Sequence, residues 1–167
     1  MKKYRRSGNY RELFAIIGGK IKHSVTESDR KLWSNDLVQS IGDGKNPLAV
    51  HAISTLISID PDSTETESTI KDVVTQIPHG DALAKSIFFL ADRDPKWINR
   101  YLFEFSSHPN PLVRESVISV IPKTCISDRW KILNAVAQKE TDSKVARTLI
   151  NLLLSLPGPE AKKLLDQ

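Results

Sequence analysis

The chain has 167 residues, of which 40% are hydrophobic and 26% charged, and its formal net charge is +4. These values are typical of a soluble globular protein and exclude a largely disordered one. No apolar run approaches the roughly 18 residues that span a bilayer, and the single cysteine, Cys125, excludes an internal disulfide. We therefore expect a soluble, cytoplasmic protein with no membrane partner.

The charge is unevenly distributed. Residues 1–31 hold nine Lys/Arg and three Asp/Glu, residues 32–94 hold four and ten, and residues 95–167 hold eleven and seven. The three segments therefore carry +6, −6 and +4. Because a partner meets local fields rather than the net charge, we expect the acidic middle to influence what binds.

The N-terminal 28 residues are predicted to form a basic helical extension that precedes a helical-repeat domain at residues 29–167, and together they are expected to form a single domain. The apolar run at residues 13–17 is shorter than the roughly 7–15 residues of a signal-peptide core. Gly18 and Gly19 lack the spacing of a phosphate loop and are interpreted as a turn that ends the helix. The basic side chains could bind phosphate or form a solvated tail: Lys2, Lys3, Arg5, Arg6 and Arg11.

One pattern occurs twice along the chain. Residues 46–57 read NPLAVHAISTLI, and residues 110–121, which follow 64 residues later, read NPLVRESVISVI. The apolar and small residues fall at i, i+3, i+4, i+7 and i+8, the spacing of one face of an amphipathic helix. Related stripes near residues 83 and 145 indicate a repeat of about 32 residues. The predicted core sets are Ala49, Ala52, Ile53, Leu56 and Ile57; Leu83, Ser86, Ile87, Leu90 and Ala91; Val113, Ser116, Val117, Val120 and Ile121; and Val145, Thr148, Leu149, Leu152 and Leu153.

A partner helix is predicted before each of these four helices, and no segment is predicted as a strand. Asn46-Pro47, Asp94-Pro95 and Asn110-Pro111 each place a capping side chain before a proline at the first helical position, and Ser63 and Ser127 are further candidate caps. Pro157-Gly158-Pro159 separates the last long helix from a short terminal one. The stripes of the partner helices contain Trp33, Leu37, Ser40 and Ile41; Ile70, Val73, Val74 and Ile77; Trp97, Ile98, Tyr101, Leu102 and Phe105; and Trp130, Leu133 and Ala137.

The segment HPNPLVRESVISVI, residues 108–121, resembles the HEAT repeat, whose second helix opens with Asp-Pro and continues with Val-Arg. Pro109, Val113 and Arg114 fall on that pattern, whereas His108 replaces the usual aspartate. The resemblance implies an all-α, right-handed α-solenoid of about four HEAT-like helix pairs, with the N-terminal extension and a short C-terminal capping helix. It also implies that Arg114 links adjacent repeats by hydrogen bonds, while it leaves the activity open because fold does not determine function.

No spacing predicts a catalytic or metal site. The four histidines do not form a helical zinc pair, and we interpret His79 and His108 as surface or capping residues. Cys125 has no identifiable histidine partner, which favours a plain semi-buried thiol over a reactive one. We therefore expect a protein that is not an enzyme and that uses neither a cofactor nor a metal.

The three tryptophans, Trp33, Trp97 and Trp130, occupy nearly equivalent positions in three predicted repeats, which favours core packing over a ligand cage. A second interpretation comes from the resemblance, because some HEAT-like proteins are DNA glycosylases that use tryptophans with an aspartate and an arginine. Asp36, Asp128 and Arg129 lie near tryptophans, but their spacing does not require this role.

A protein-binding surface is the preferred hypothesis. The outer faces of the second helices and the acidic segment after the first of them supply the candidate partner-binding residues: Asp60, Asp62, Glu65, Glu67, Lys85, Phe89, Asp92, Glu115, Arg147 and Asn151. Acidic side chains favour encounter with a basic protein and repel a phosphate backbone. Phe88 and Phe89 flank the core stripe on opposite sides, and at least one of them is expected to be partly exposed.

The most specific hypothesis is an immunity protein, because small stand-alone bacterial solenoids resemble proteins that block a partner. Such a protein would neutralise a toxin domain, for example a nuclease with a basic cleft, by covering its active site. Nucleic-acid binding and a role as an adaptor scaffold stay open as alternatives.

Overall fold

The computed structural model describes residues 10–24, 26–41, 47–59, 62–76, 80–124 and 127–166. Within these ranges all regular secondary structure is α-helical and no strand is present, so the predicted all-α class is confirmed. The helices are α1 (Tyr10–Lys22), α2 (Glu27–Ile41), α3 (Pro47–Ile59), α4 (Thr64–Gln76), α5 (Gly80–Arg93), α6 (Pro95–Phe105), α7 (Pro111–Thr124), α8 (Arg129–Ala137), α9 (Ser143–Ser155) and α10 (Pro159–Leu165).

The chain folds into two compact units, Met1–Ser86 and Ile87–Gln167, and the division falls within α5. In the first unit, α1, α2 and α3 pack against one another and α4 contacts α3. In the second unit, α7 packs between α6 and α9, α8 contacts all three, and α10 packs against α9 and α8. Helix α1, the described part of the predicted N-terminal extension, thus packs against both α2 and α3.

The predicted stripes form the buried core of the second helices. Ala52 and Ile53 in α3, Ile87 and Leu90 in α5, and Val117 in α7 are fully buried. Among the positions predicted in the second helices, only Ile57, Thr148 and Leu152 are half-buried. Ile118 is also fully buried although it lies beside the predicted stripe, because α7 is enclosed by helices on several sides.

Two serines lie inside this core, and the hydroxyl of each is hydrogen-bonded. Ser86 is 0% exposed and its hydroxyl donates to the carbonyl of Ala82 at 2.9 Å, while Ser116 is 1% exposed and donates to Val113 at 2.7 Å. Because each hydroxyl is satisfied within its own helix, its burial does not incur the cost of an unmade hydrogen bond. These serines occupy the second position of their stripes, where α3 has Ala52.

Side-chain caps determine several helix starts. Asp94 accepts from the amide of Trp97 at 3.1 Å, and Asn110 accepts from Leu112 at 2.8 Å. Ser63 accepts from Glu65 and Thr66, as predicted. The prediction for Ser127 is wrong, because α8 begins at Arg129 and Asp128 is the residue that precedes it.

The predicted turn at Gly18 and Gly19 is also wrong. Helix α1 continues through both glycines to Lys22, since Phe14, Ile17 and Ile21 form a buried stripe that stabilises the helix despite its weak local propensity. The glycines have different surroundings. A Cβ at Gly18 would lie 3.2 Å from Cγ2 of Thr55 in α3, whereas one at Gly19 would meet nothing within 4 Å.

Candidate binding surfaces

The described members of the predicted partner-binding set are distributed over α4, α5, α7, α9 and the segment before α4. Exposed side chains are found at Asp62, Glu65, Lys85, Asp92, Arg147 and Asn151, while Glu67 and Glu115 are half-buried. Asp60 lies outside the described residues, as do Cys125 and the basic residues before Tyr10.

The expected exposure of Phe89 is wrong, because this ring is only 9% exposed whereas that of Phe88 is 46% exposed. Phe89 comes seven residues after Ala82 and three residues after Ser86, and both of these are buried. The ring therefore lies on a second buried side of α5. Phe88 instead continues the outward strip formed by Asp81, Lys85 and Asp92. The helical pattern could not separate the two because both flank the predicted stripe.

Three of the predicted binding residues contact a neighbouring helix within their own unit. Lys85 donates to Ser54 of α3 at 2.7 Å, and Lys123 of α7 pairs with Asp92 at 2.6 Å. Glu115 of α7 pairs with Lys144 of α9 at 2.8 Å and accepts from Thr148 at 3.3 Å. The partners are 29 to 33 residues apart in sequence, close to the predicted repeat length. These side chains therefore bridge second helices, which reduces their availability to an external partner.

Helix α1 covers part of the outer face of α3 that was a candidate surface in the first repeat. The rings of Phe14 and His51 lie with their centroids 6.3 Å apart and nearly parallel, and Gly18 lets α1 approach Thr55 closely. Sequence periodicity could not reveal this contact, because a helix wheel shows which positions face outward but not which other helix occupies them.

Arg114 organises the loops at one end of the second unit. Its Nε and Nη2 donate to Oε2 and Oε1 of Glu140 at 2.8 and 2.7 Å, and its Nη1 donates to the carbonyls of His108 and Pro109. The side chain of Glu140 is only 3% exposed and also accepts from the amides of Thr141 and Asp142. The predicted structural role of Arg114 is confirmed.

In the Arg114–Glu140 pair, each side chain stabilises the charged form of the other. The hydrogen bond from Arg114 lowers the pKa of Glu140 against the opposing effect of burial, and the backbone amides lower it further. Conversely, the hydrogen bond to Glu140 raises the pKa of Arg114. Because a bidentate guanidinium–carboxylate pair also restricts orientation, it links the turn before α7 to the turn before α9.

His108 caps the same region. Its Nδ1 accepts from the amide of Asn110 at 3.0 Å, which agrees with the predicted capping role. Among the described residues, no three His, Cys, Asp or Glu side chains come together in a way that could hold a metal ion. The helices in those ranges also include none that is long and apolar enough to span a membrane.

An acidic row consists of Asp62, in the turn before α4, and of Glu65 and Asp72 on α4. All three side chains are exposed, and Glu65 and Asp72, spaced at i and i+7, share one face of the helix. Ser68 is exposed between Glu65 and Asp72, while Ile70, Val73 and Val74 are buried on the other side. Glu67, in the first turn, is directed to an intrahelical pair with Lys71 at 2.6 Å instead.

Comparison with known proteins identified no relative. The chain matches no protein-family model, and neither curated proteins nor solved structures give a significant match.

Proposed function

We propose that this protein acts without catalysis, as a right-handed α-solenoid of HEAT-like helix pairs that binds another protein in the cytoplasm. The proposed partner is a basic toxin domain, in the most specific form a nuclease, whose active site the protein covers. Two features support the repeat organisation: the core stripes recur at about 32 residues, and polar contacts between second helices recur at 31 to 33.

The acidic row is the observation that carries the proposed partner. It offers two exposed carboxylates on one face of α4 and a third in the preceding turn, which suits a surface rich in Lys and Arg. Glu65 lies in the first turn of α4, where a carboxylate also stabilises the helix N-terminus, but that effect does not extend to Asp72 near the last turn. The row is the preferred candidate because its carboxylates are exposed and lie on or directly before a single helix.

The test compares two variants that change the net charge equally. Asp62→Lys/Glu65→Lys/Asp72→Lys reverses the acidic row, and Glu104→Lys/Glu160→Lys/Asp166→Lys reverses three exposed carboxylates of the second unit. Each protein is immobilised and exposed to nuclease-treated lysate of the source cells, and circular dichroism confirms that both variants are folded.

We expect one protein to be retained in stoichiometric amounts by the wild type and the control but not by the acidic-row variant, with retention that weakens as salt rises. Expressed alone, that protein should be toxic, and co-expression of the wild-type chain should relieve the toxicity. Equal retention by all three proteins would remove the acidic row as the interface. A retained protein without toxicity would instead favour an adaptor.

A further inference from the structure

A second surface, unrelated to the acidic row, combines cations with aromatic rings. It lies on α6 and α8, which are neighbours in the second unit. The two helices carry four cationic side chains and a single carboxylate, that of Glu104, between their first and last residues. We define the basic-aromatic face by its members: Lys96, Trp97, Arg100, Tyr101, Phe103, Arg129, Trp130 and Lys131.

The cations of this face lie against the rings. The guanidinium carbon of Arg100 is 5.5 Å from the ring centroid of Trp97 and 5.9 Å from that of Tyr101. Lys131 of α8 places its Nζ 4.2 Å from the ring centroid of Phe103 in α6, so this contact joins the two helices. Arg129 lies 5.6 Å from the ring of Trp130. Each ring is thus within reach of a positive charge.

The rings are accessible rather than part of the core. Phe103 is 45% exposed, and Trp97, Tyr101 and Trp130 are half-buried, whereas the core of the same helices consists of fully buried Ile98, Leu102 and Leu133. On α6, Lys96, Arg100 and Phe103 follow one another at i, i+4 and i+7 along the outward side. The half-exposed rings therefore flank a continuous line of exposed side chains.

Two polar groups on these helices also have unused hydrogen-bonding capacity. The Oδ1 of Asn99 and the Nε of Arg129 have no hydrogen-bond partner among the described residues. Both atoms are buried, so a ligand contact by the guanidinium of Arg129 falls to its two terminal nitrogens.

We propose that the basic-aromatic face binds single-stranded nucleic acid. The excess of cations requires an anionic occupant, and the half-exposed rings suit an occupant with planar groups. Single strands present both, because phosphates alternate with unpaired bases that can stack on aromatic side chains. Arg100 and Lys131 now cover ring faces, and they would pair with phosphates while bases replace them on the rings. Glu104, Asp94 and Asp128 oppose the cations, so binding depends on stacking as well as on charge.

Binding is measured with fluorescein-labelled 20-nucleotide oligodeoxythymidylate and oligouridylate, by anisotropy and by quenching of tryptophan fluorescence. A labelled 20-residue polyglutamate is the polyanion that lacks planar bases. We expect the wild type to bind an oligonucleotide at about 50 mM salt with quenching, and to bind polyglutamate at least about tenfold more weakly. No oligonucleotide binding at about 100 µM protein would overturn the proposal. Polyglutamate binding of equal strength would also overturn it and would assign the face to an acidic protein segment.

Matched variants localise the site. Arg100→Gln/Lys131→Gln removes two cations of the face, and Lys162→Gln/Lys163→Gln removes two exposed cations of α10. The first should lower the slope of log K against log salt by about 1.4, because each lost phosphate contact contributes about 0.7 for single strands, while the control should leave it unchanged. Phe103→Ala should weaken binding about tenfold. Equal effects of the two cation variants would exclude this face as the site.

The proposed protein-binding function is tested separately, because it concerns residues of the first unit. The acidic-row variant should bind the oligonucleotides as tightly as the wild type or more tightly, since it removes negative charge. Either proposal can therefore fail without the other.

Discussion

Helices α3 and α7 share one sequence pattern, yet they are held in place by different neighbours. His51 and Thr55 of α3 correspond, 64 residues later, to Glu115 and Ser119 of α7. In α3 these positions face α1, which precedes it, whereas Glu115 of α7 pairs with α9, which follows it. The core residues of the two helices are alike. The polar and small residues on their outer faces therefore determine which neighbour packs against each helix.

The two helices differ most at the residue directly before His51 and Glu115. Val50 of α3 is a half-buried aliphatic residue, and its counterpart Arg114 of α7 forms a bidentate pair with Glu140. The second unit thus has a polar link between two loops at a point where the first unit has a half-buried valine. The following changes test how much stability each arrangement contributes, from the largest effect to the smallest.

Arg114→Ala should have the largest effect. It leaves the nearly buried carboxylate of Glu140 without its cation, and we expect the free energy of unfolding to fall by about 3 kcal/mol, because Thr141 and Asp142 still donate to the carboxylate. Urea denaturation followed by circular dichroism measures the loss. Arg114→Met/Glu140→Gln should lose less, since it removes both charges and keeps an acceptor for the two amides. A double variant as unstable as Arg114→Ala would show that the pair acts by geometry and not by charge balance.

Glu140→Gln tests the same link by its dependence on pH. The pKa of Glu140 is lowered in the folded protein, so the stabilisation is complete above its ordinary pKa of 4.5 and is lost as the pH falls through the folded value. The difference in unfolding free energy between the wild type and Glu140→Gln should thus be larger at pH 7 than at pH 3. A constant difference between these pH values would contradict the assignment.

The adjacent glycines of α1 test the packing on α3. Gly19→Ala should stabilise the protein by about 0.5–1 kcal/mol, because alanine favours the helix and its Cβ meets no neighbour. Gly18→Ala should gain less, since its Cβ must displace Cγ2 of Thr55 at 3.2 Å. The thermal midpoints of the two variants give the comparison. The variant Gly18→Ala/Thr55→Ser lacks the obstructing methyl, so it should regain the stabilisation expected for Gly19→Ala. If it does not, α1 does not approach α3 in this way.

Lys123→Ala should have the smallest effect. Both partners of the Lys123–Asp92 pair are more than 60% exposed, and such pairs contribute little in water. We expect a change within about 0.5 kcal/mol in urea denaturation. A loss comparable to that of Arg114→Ala would mean that the exposed bridges between second helices stabilise the protein as much as the buried link does.

The sequence predicted the helices and their buried faces well because a period of 3.6 is visible in a single chain. Leu83, Val113 and Val145 were assigned to the core on that basis, and each is buried. Contacts between distant helices carry no such periodicity. Neither the packing of α1 on α3 nor the choice between Phe88 and Phe89 could be predicted, because both depend on which helix covers a given side. The basic-aromatic face was missed because Trp97, Tyr101 and Trp130 were assigned to core stripes, whereas they are half-buried.

The second position of each stripe has a consequence for how such chains diverge. It is occupied by Ala52, Ser86, Ser116 and Thr148, all small, and the hydroxyls of Ser86, Ser116 and Thr148 donate to carbonyls of their own helices. Substitution at this position is therefore limited by the volume of the side chain and depends little on its polarity. Evolutionary drift can exchange alanine and serine at the first three of these positions without disturbing the helix contacts, whereas alanine at Thr148 would also remove the bond to Glu115 of α7. Two chains with the same architecture can therefore lose detectable hydropathy similarity at a site that both keep small.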